Sequence, residues 1–470
     1  ARARGFFGEI DHPQSGRILY PLALAHFSRT PWQPRRAPLL GEHNSDLNRP
    51  TDFTRAAGPV PHPASQAVQA LEGVRIADFS WAVAGPYSTL LLAFLGAQVI
   101  KVESRQRVDV LRKLTRVLGW EDQANVDKSV EFNLVNLNKL GITLDLAHPE
   151  GVALAKRLVA ASDVVVENFS PGVMENLGLG YEALRRIKPD LIMISISAAG
   201  ATGPERRSLG YASIFHAAGG LAHLTGYPDS PPGYIRSPID CNVASAGALA
   251  VLAALVHRQA TGFGQYIDLS AREVVSYLIG HAFLQVAMNG KDPGRTGNWD
   301  SSMAPHDCYP CRGEDRWISI AVGNEEEWQA LVRTMKSPSW TREGMFADQP
   351  GRLEHREELQ RKIGEWTIQY DPFELTELLQ RAGVAAFPSL SVRDIYQDAH
   401  LTARGWALEV EHPVLGRQVV MGPPWKMSRT PPLVHSPAPT LGQHQHWVCE
   451  EVLGLSRAEV EDLQREGAFG

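Results

Sequence analysis

Cysteine is scarce in this sequence. Four residues in 470 are too few for a disulfide-stapled fold and suit a reducing compartment such as the cytoplasm. A basic excess is missing too. Forty-six Lys and Arg stand against 52 Asp and Glu, for a net charge of −6, and no Lys/Arg-rich block occurs, so no nucleic-acid partner is expected. The longest apolar run, residues 243–256, stops at His257-Arg258, short of the ~18–20 residues that cross a bilayer. No secretory signal opens the chain. Gly-x-Gly-x-x-Gly is absent from the first strand–helix turn, where Ala84-Gly85-Pro86 stands, and there is no Walker loop, which argues against dinucleotide and P-loop chemistry. His216, His223, His257, His444 and His446 have no companions at metal-ligand spacing, so no metal site is expected.

What is present is an ordinary globular composition, 44% hydrophobic and 21% charged, enough for two or three domains at ~100–200 residues each. It also contains a repeat. Ala3-Arg4-Gly5, Glu9, His12-Pro13, Gly16-Arg17 and Ser28-Arg29-Thr30-Pro31 recur as Ala403-Arg404-Gly405, Glu409, His412-Pro413, Gly416-Arg417 and Ser428-Arg429-Thr430-Pro431, always 400 positions apart. A solenoid repeats every ~20–50 residues, so this spacing implies domain-sized units. The reading is that residues 1–48 are the tail of a preceding copy, 49–70 a Pro-rich linker, and 71–470 one full copy. The chain, which begins with Ala1, is then a piece of a longer tandem protein.

Along that copy, residues 74–79, 97–102, 163–166 and 191–196 read as strands. Helical stretches lie between them near 87–95, 149–159 and 181–187. Such alternation indicates an α/β fold with a parallel sheet covered by helices, in which ligands sit beyond the carboxyl ends of the strands. Residues 80–86, 103–105, 168–172 and 197–204 are the loops this selects. A smaller α+β domain follows. The expected division is 71–275 for the large domain, 276–408 for linker and small domain, and 409–470 for a strand-rich segment returning to the large domain.

Asp240, ahead of the apolar helix that ends near His257, reads most simply as a helix N-cap. The same place favours an ionised carboxylate, and a carboxylate can act as a covalent nucleophile. Cys308-x-x-Cys311 is a single pair with no matching ligands, read as structural.

Leu71-Glu72-Gly73-Val74-Arg75, Ala84-Gly85-Pro86, Leu95-Gly96-Ala97 with Lys101-Val102-Glu103, Asn138-Lys139, Glu167-Asn168-Phe169 with Pro171-Gly172, and Thr261-Gly262-Phe263-Gly264-Gln265 occur in that order. Together they resemble the class III CoA-transferases, the group of formyl-CoA and carnitine CoA-transferases. The resemblance implies a Rossmann-like large domain, a smaller domain, and an interlocked dimer, either of identical chains or of tandem copies. It implies coenzyme A as co-substrate, acyl-CoA and carboxylic acid as substrates, and no tightly bound cofactor.

It also implies residues. The nucleophile lies twelve positions before a Leu-Ala-Ala-Leu run, here 252–255, which selects Asp240. Tyr211 would stand beside it, and Ala84, Ser104, Arg105, Leu144, Asn168, Phe169 and Ser170 would line the CoA cleft. Trp81 and Val83 replace polar residues of formyl-CoA transferase, which points to a bulkier, less polar acyl group. Two alternatives stand beside transfer. One is an α-methylacyl-CoA racemase, whose His is replaced here by Tyr211-Ala212 with His216 five residues away. The other is a non-catalytic half of a tandem protein.

Overall fold

The computed structural model describes residues 1–48, 69–114, 125–235 and 238–470. The linker read at 49–70 falls almost wholly outside them. The chain divides into a large unit, Ala1–Leu221 with Tyr234–Pro293 and Gly405–Gly470, and a small unit, Ala222–Gly233 with Gly294–Arg404. The small unit therefore begins later than position 276, ends a few residues before 408, and takes in a short stretch from upstream.

Strands of the large unit are β1 (Phe7–His12), β2 (Gly16–Pro21), β3 (His26–Phe27), β4 (Arg75–Asp78), β5 (Gln98–Glu103), β6 (Lys139–Thr143), β7 (Val164–Glu167), β8 (Ile192–Ser197) and β9 (Tyr266–Ser270). Its main helices are α1 (Ala84–Phe94), α2 (Pro149–Ala160), α3 (Ala212–Ala218), α4 (Pro238–Thr261), α5 (Ala271–Leu278) and α6 (Gly280–Asn289). Seven strands form one sheet in the order β3-β9-β8-β7-β4-β5-β6. All are parallel except β3, which pairs antiparallel with β9. Val164, Val165 and Val166 are fully buried, the unbroken apolar run that a parallel strand covered on both faces requires. The chain leaves β4 toward β5 on one side and returns to β7 on the other, so the sheet's switch point lies between β4 and β7.

Helix starts follow local chemistry. Pro149 opens α2 and the His148 ring accepts the Glu150 N–H, while Leu154, Ala155, Leu158 and Val159 are buried beneath it. α1 starts three residues before its expected position because Pro86 belongs in a first turn. α4 packs along α1 through small residues. Ser88 Oγ donates to Ala244 O at 2.9 Å, and a Cβ on Gly247 would stand 2.8 Å from Ser88 Oγ. At 24 residues α4 is longer than the apolar run inside it, and by length and composition it could cross a membrane. Here Val243, Val251 and Ala254 are fully buried and pack in the cluster that holds β8 and β9, as a core helix does.

The two repeated segments fold alike. β1 and β2 pair from Phe7↔Pro21 to His12↔Gly16. β13 (Ala407–His412) and β14 (Gly416–Met421) pair in the same register 400 positions on; in the small unit, β10 (His306–Pro310), β11 (Trp317–Ala321) and β12 (Ala385–Pro388) form an antiparallel sheet. Its core is built on Trp328, Tyr309, Ile318 and Ile363. Residues 405–470 complete the large unit. Asn138, at φ +63°, accepts the His435 and Ser436 N–H groups. Gln445 Oε1 accepts from Thr143 N, and Asp145 N donates to Ala468 O.

Candidate active site

The loops after β4, β5, β6 and β7 enclose a cavity of about 640 Å³ at the switch point. Beneath it lies a buried charge network. Asp78 accepts from Lys139 Nζ at 3.1 Å, Thr89 Oγ1 at 2.6 Å and Ser80 N at 3.0 Å. Lys101 Nζ donates to Ser80 O and, at 3.3 Å, to Asp109. Asp109 in turn accepts the Ala82 and Leu111 N–H groups at 3.0 Å. Ala82 has φ +59°, a left-handed conformation that costs a non-glycine residue about 1 kcal/mol. Asp109 holds the loop there. Burial would raise the Asp78 carboxyl, but the Lys139 and Lys101 charges outweigh it and hold it below the usual range. Burial draws the Lys139 ammonium down to about 8 against the pull of Asp78.

Asn168 joins the two strands that flank the switch point. Its Oδ1 accepts from Trp81 N at 2.9 Å and its Nδ2 donates to Trp81 O at 2.8 Å. The Phe169 ring meets Trp81 edge to face at 5.9 Å. Gly85 lets α1 approach: a Cβ there would lie 2.2 Å from Ser80 Cβ.

A smaller chamber of about 150 Å³ contains Asp240, Ala84, Val83, Phe215 and Ser197 in its wall. Trp81, Asn168, Phe169, Ser170, Leu209, Gly210 and Tyr211 line both spaces, so the chamber opens off the cleft. α4 begins at Pro238, which puts Asp240 in its first turn rather than at the N-cap. The N-cap reading is thereby corrected. Among the described residues its carboxyl has no hydrogen-bond or ion-pair partner, and burial alone raises its pKa.

Ser104 and Leu144 line the cleft, Ala84 the chamber, and Asn168, Phe169, Ser170 and Tyr211 both. Arg105 lines neither. Its guanidinium lies against Gly442, where an added Cβ would stand 3.0 Å from Nη2. Arg107, two residues on, takes the place expected of it, with its guanidinium 5.0 Å from the Trp81 ring centroid. The sequence offered both arginines in one loop and nothing to say which faces inward. Lys101 and Asp109, which fix the floor, carried no recognisable signal of that role. His216 is buried, meets Tyr234 edge to face, and is not part of the chamber wall. Cys308 and Cys311 lie in the small unit as free thiols, and burial pushes Cys311 up to about 11.

A family model described as CoA-transferase family III matches residues 71–445. The chain belongs to CoA-transferase family III. Succinyl-CoA–D-citramalate CoA-transferase of Chloroflexus aurantiacus is 35% identical over 395 residues, 84% of this chain and 96% of that protein. Formyl-CoA:oxalate CoA-transferase of Rhodopseudomonas palustris is 32% identical, over 85% and 97%. A probable CoA-transferase of Mycobacterium tuberculosis is 33% identical over 87% of this chain, which is 51% of that longer protein. Among solved structures, a CAIB/BAIF family protein from Brucella suis superposes with a TM-score of 0.74 at 30% identity, covering 82% of this chain and 99% of that one. The family III chain described here is accordingly a CoA-transferase, and its fold is that of its relatives: mixed α/β around a mostly parallel seven-stranded sheet.

Proposed function

We propose that this family III enzyme moves CoA from an acyl-CoA donor to a carboxylic acid through covalent intermediates on Asp240. A carboxylate with no hydrogen-bond or ion-pair partner among the described residues, in a helix's first turn, at the end of a cleft large enough for an extended ligand, is the observation that carries this reading. The Asp240 carboxylate attacks the donor thioester carbonyl, and the C–S bond breaks to release CoA thiolate and leave a mixed anhydride. The thiolate attacks the Asp240 acyl carbon, expelling the donor acid and forming an aspartyl-CoA thioester. The acceptor carboxylate attacks that carbon, CoA thiolate leaves again, and a second anhydride forms. Thiolate then takes the acceptor acyl group and frees Asp240. One thioester is exchanged for another, so no ATP is consumed.

Asp240 sits where the α4 N-terminus favours its ionised form and where burial strips its solvation, leaving a more reactive nucleophile. α1 has no side-chain cap among the described residues, so the Ala84 N–H at the chamber wall is free to donate to a developing oxyanion. Trp81, Val83, Phe169 and Phe215 exclude water from the anhydride. Those apolar walls favour an acyl group with more hydrocarbon than formate or oxalate offers. The named relatives act on citramalate, oxalate and, in Haloarcula hispanica, mesaconate.

The test is mass spectrometry of the protein mixed with a panel of acyl-CoAs. A CoA adduct should map to the peptide containing Asp240, be cleaved by hydroxylamine, and be missing from Asp240→Ala. Transfer that persists in that variant would overturn the assignment.

A further inference from the structure

Among the described residues, Ala82, Asn138, Asp315, Lys336 and Ser337 have a left-handed backbone without being glycine. Of these, Ala82 alone stands in the wall of the Asp240 chamber. An alanine has no polar side chain to reward that conformation, as an Asn or Asp has. Strain of this kind persists only where the surroundings impose it.

From Ser80 N to Ala82 N, each backbone polar group meets a side chain. Asp78 accepts from Ser80 N at 3.0 Å, and Lys101 donates to Ser80 O. Asn168 takes both groups of Trp81, at 2.9 and 2.8 Å. Asp109 accepts from Ala82 N with both of its oxygens, at 3.0 and 3.2 Å. On the far side, α1 is fixed against α4 by the bond from Ser88 Oγ to Ala244 O, and Tyr87 N donates to Val83 O at 2.8 Å. Between a pinned loop and a pinned helix, Ala82 at φ +59° takes up the change of chain direction. Ala84, at the chamber wall, follows two residues later.

The Asp109 side chain has no exposed surface and pairs with Lys101 Nζ at 3.3 Å. It also accepts from Leu111 N at 3.0 Å, so donors from β5 and from its own loop fix its orientation. We propose that Asp109 is a positioning residue for CoA transfer: by holding Ala82 in the left-handed region, it aims the Ala84 N–H at the oxyanion that develops beside Asp240. It acts through Ala82 and not on substrate. If Ala82 is released to negative φ, the peptide planes leading to Ala84 turn and the donor loses its aim. The proposal rests on the reading that the acyl carbon reacts in this chamber.

The test is a double-mutant cycle in the full chain, read as kcat and KM for acyl-CoA at a temperature where every variant is folded. Asp109→Asn presents one oxygen to donors that now share two. It should lower kcat about 5–30-fold, the left-handed penalty converted at about 1.36 kcal/mol per tenfold, and leave KM little changed. Glycine adopts positive φ as readily as negative, so in an Ala82→Gly background the same substitution should cost only about twofold. A purely structural loss at Asp109 would persist in that background. If Asp109→Asn fails to fold, Ala82→Val takes its place: a β-branched residue makes the left-handed backbone costlier and should lower kcat with Asp109 intact. The proposal is overturned if the Asp109→Asn loss is as large in the Ala82→Gly background, if it falls on KM instead of kcat, or if Ala82→Val keeps the wild-type kcat. Transfer by Asp240→Ala, assayed alongside, would sink the nucleophile reading separately, while the cycle still decides what Asp109 does.

Discussion

Glu167 offers a test of how the cleft is held. It ends β7, is 5% exposed, and accepts the Phe169 N–H at 2.8 Å, so it shapes the loop that lines both spaces. Burial pushes its carboxyl up to about 7 from 4.5, against the opposing hydrogen bonds from Ser195 and Phe169. In the unfolded chain the group titrates near 4.5. Between pH 4.5 and 7 the folded state therefore keeps a proton that the unfolded state has lost, and stability falls as pH rises. At 1.36 kcal/mol per pH unit, the loss over that window is about 3 kcal/mol, complete above pH 7. Glu167→Gln keeps the shape and the acceptor for Phe169 N but cannot ionise. Melting temperatures of the two proteins should converge near pH 4.5, separate in favour of the variant from pH 5 to 7, and then run parallel. A separation that stays constant from pH 5 to 8, or that widens in favour of wild type, would refute the reasoning.

Other outcomes follow from the same geometry. Because burial raises Asp240, kcat/KM for transfer should fall with decreasing pH at higher pH than a free aspartate would dictate; an acid limb at or below the ordinary aspartate range would count against a desolvated nucleophile. Gly85→Ala drives a Cβ into Ser80 and should cost about 1–3 kcal/mol of stability, read as a lowered melting temperature. Asn168→Ala strips both backbone partners from Trp81. It should cost about 1–3 kcal/mol and raise KM for acyl-CoA more than it lowers kcat.

Strands and helices of the large unit were legible because their patterns were local. The valine run of β7 and the apolar face of α2 each announce their element without help from distant residues. The loops at the strand ends were legible as well, since a parallel sheet fixes where ligands can go before any side chain is considered. Side-chain direction inside a loop was not. Arg105 and Arg107 sit in the same short segment, and only the packing of Gly442 on one side and Trp81 on the other separates them. The floor of the cleft was equally hidden. Asp78, Lys101, Asp109 and Lys139 come from three strands and a loop, and charges brought together by tertiary structure leave no spacing to read. Asp240 was identified through resemblance, but its place in the first turn of α4 needed the helix boundary, which a sequence gives poorly.

The large unit is interrupted by the small one. Residues 405–470 supply a hairpin over α1, the partners of Asn138 and Thr143, and buried contacts at Ala468 and Phe469, all synthesised after residue 404. During translation, the stretch 294–404 is complete while its larger neighbour still lacks that covering. A chain truncated after residue 404 and released from the ribosome should thus present a protease-resistant inner module beside an unfinished sheet, which reverses the usual order of N-terminal parts maturing first.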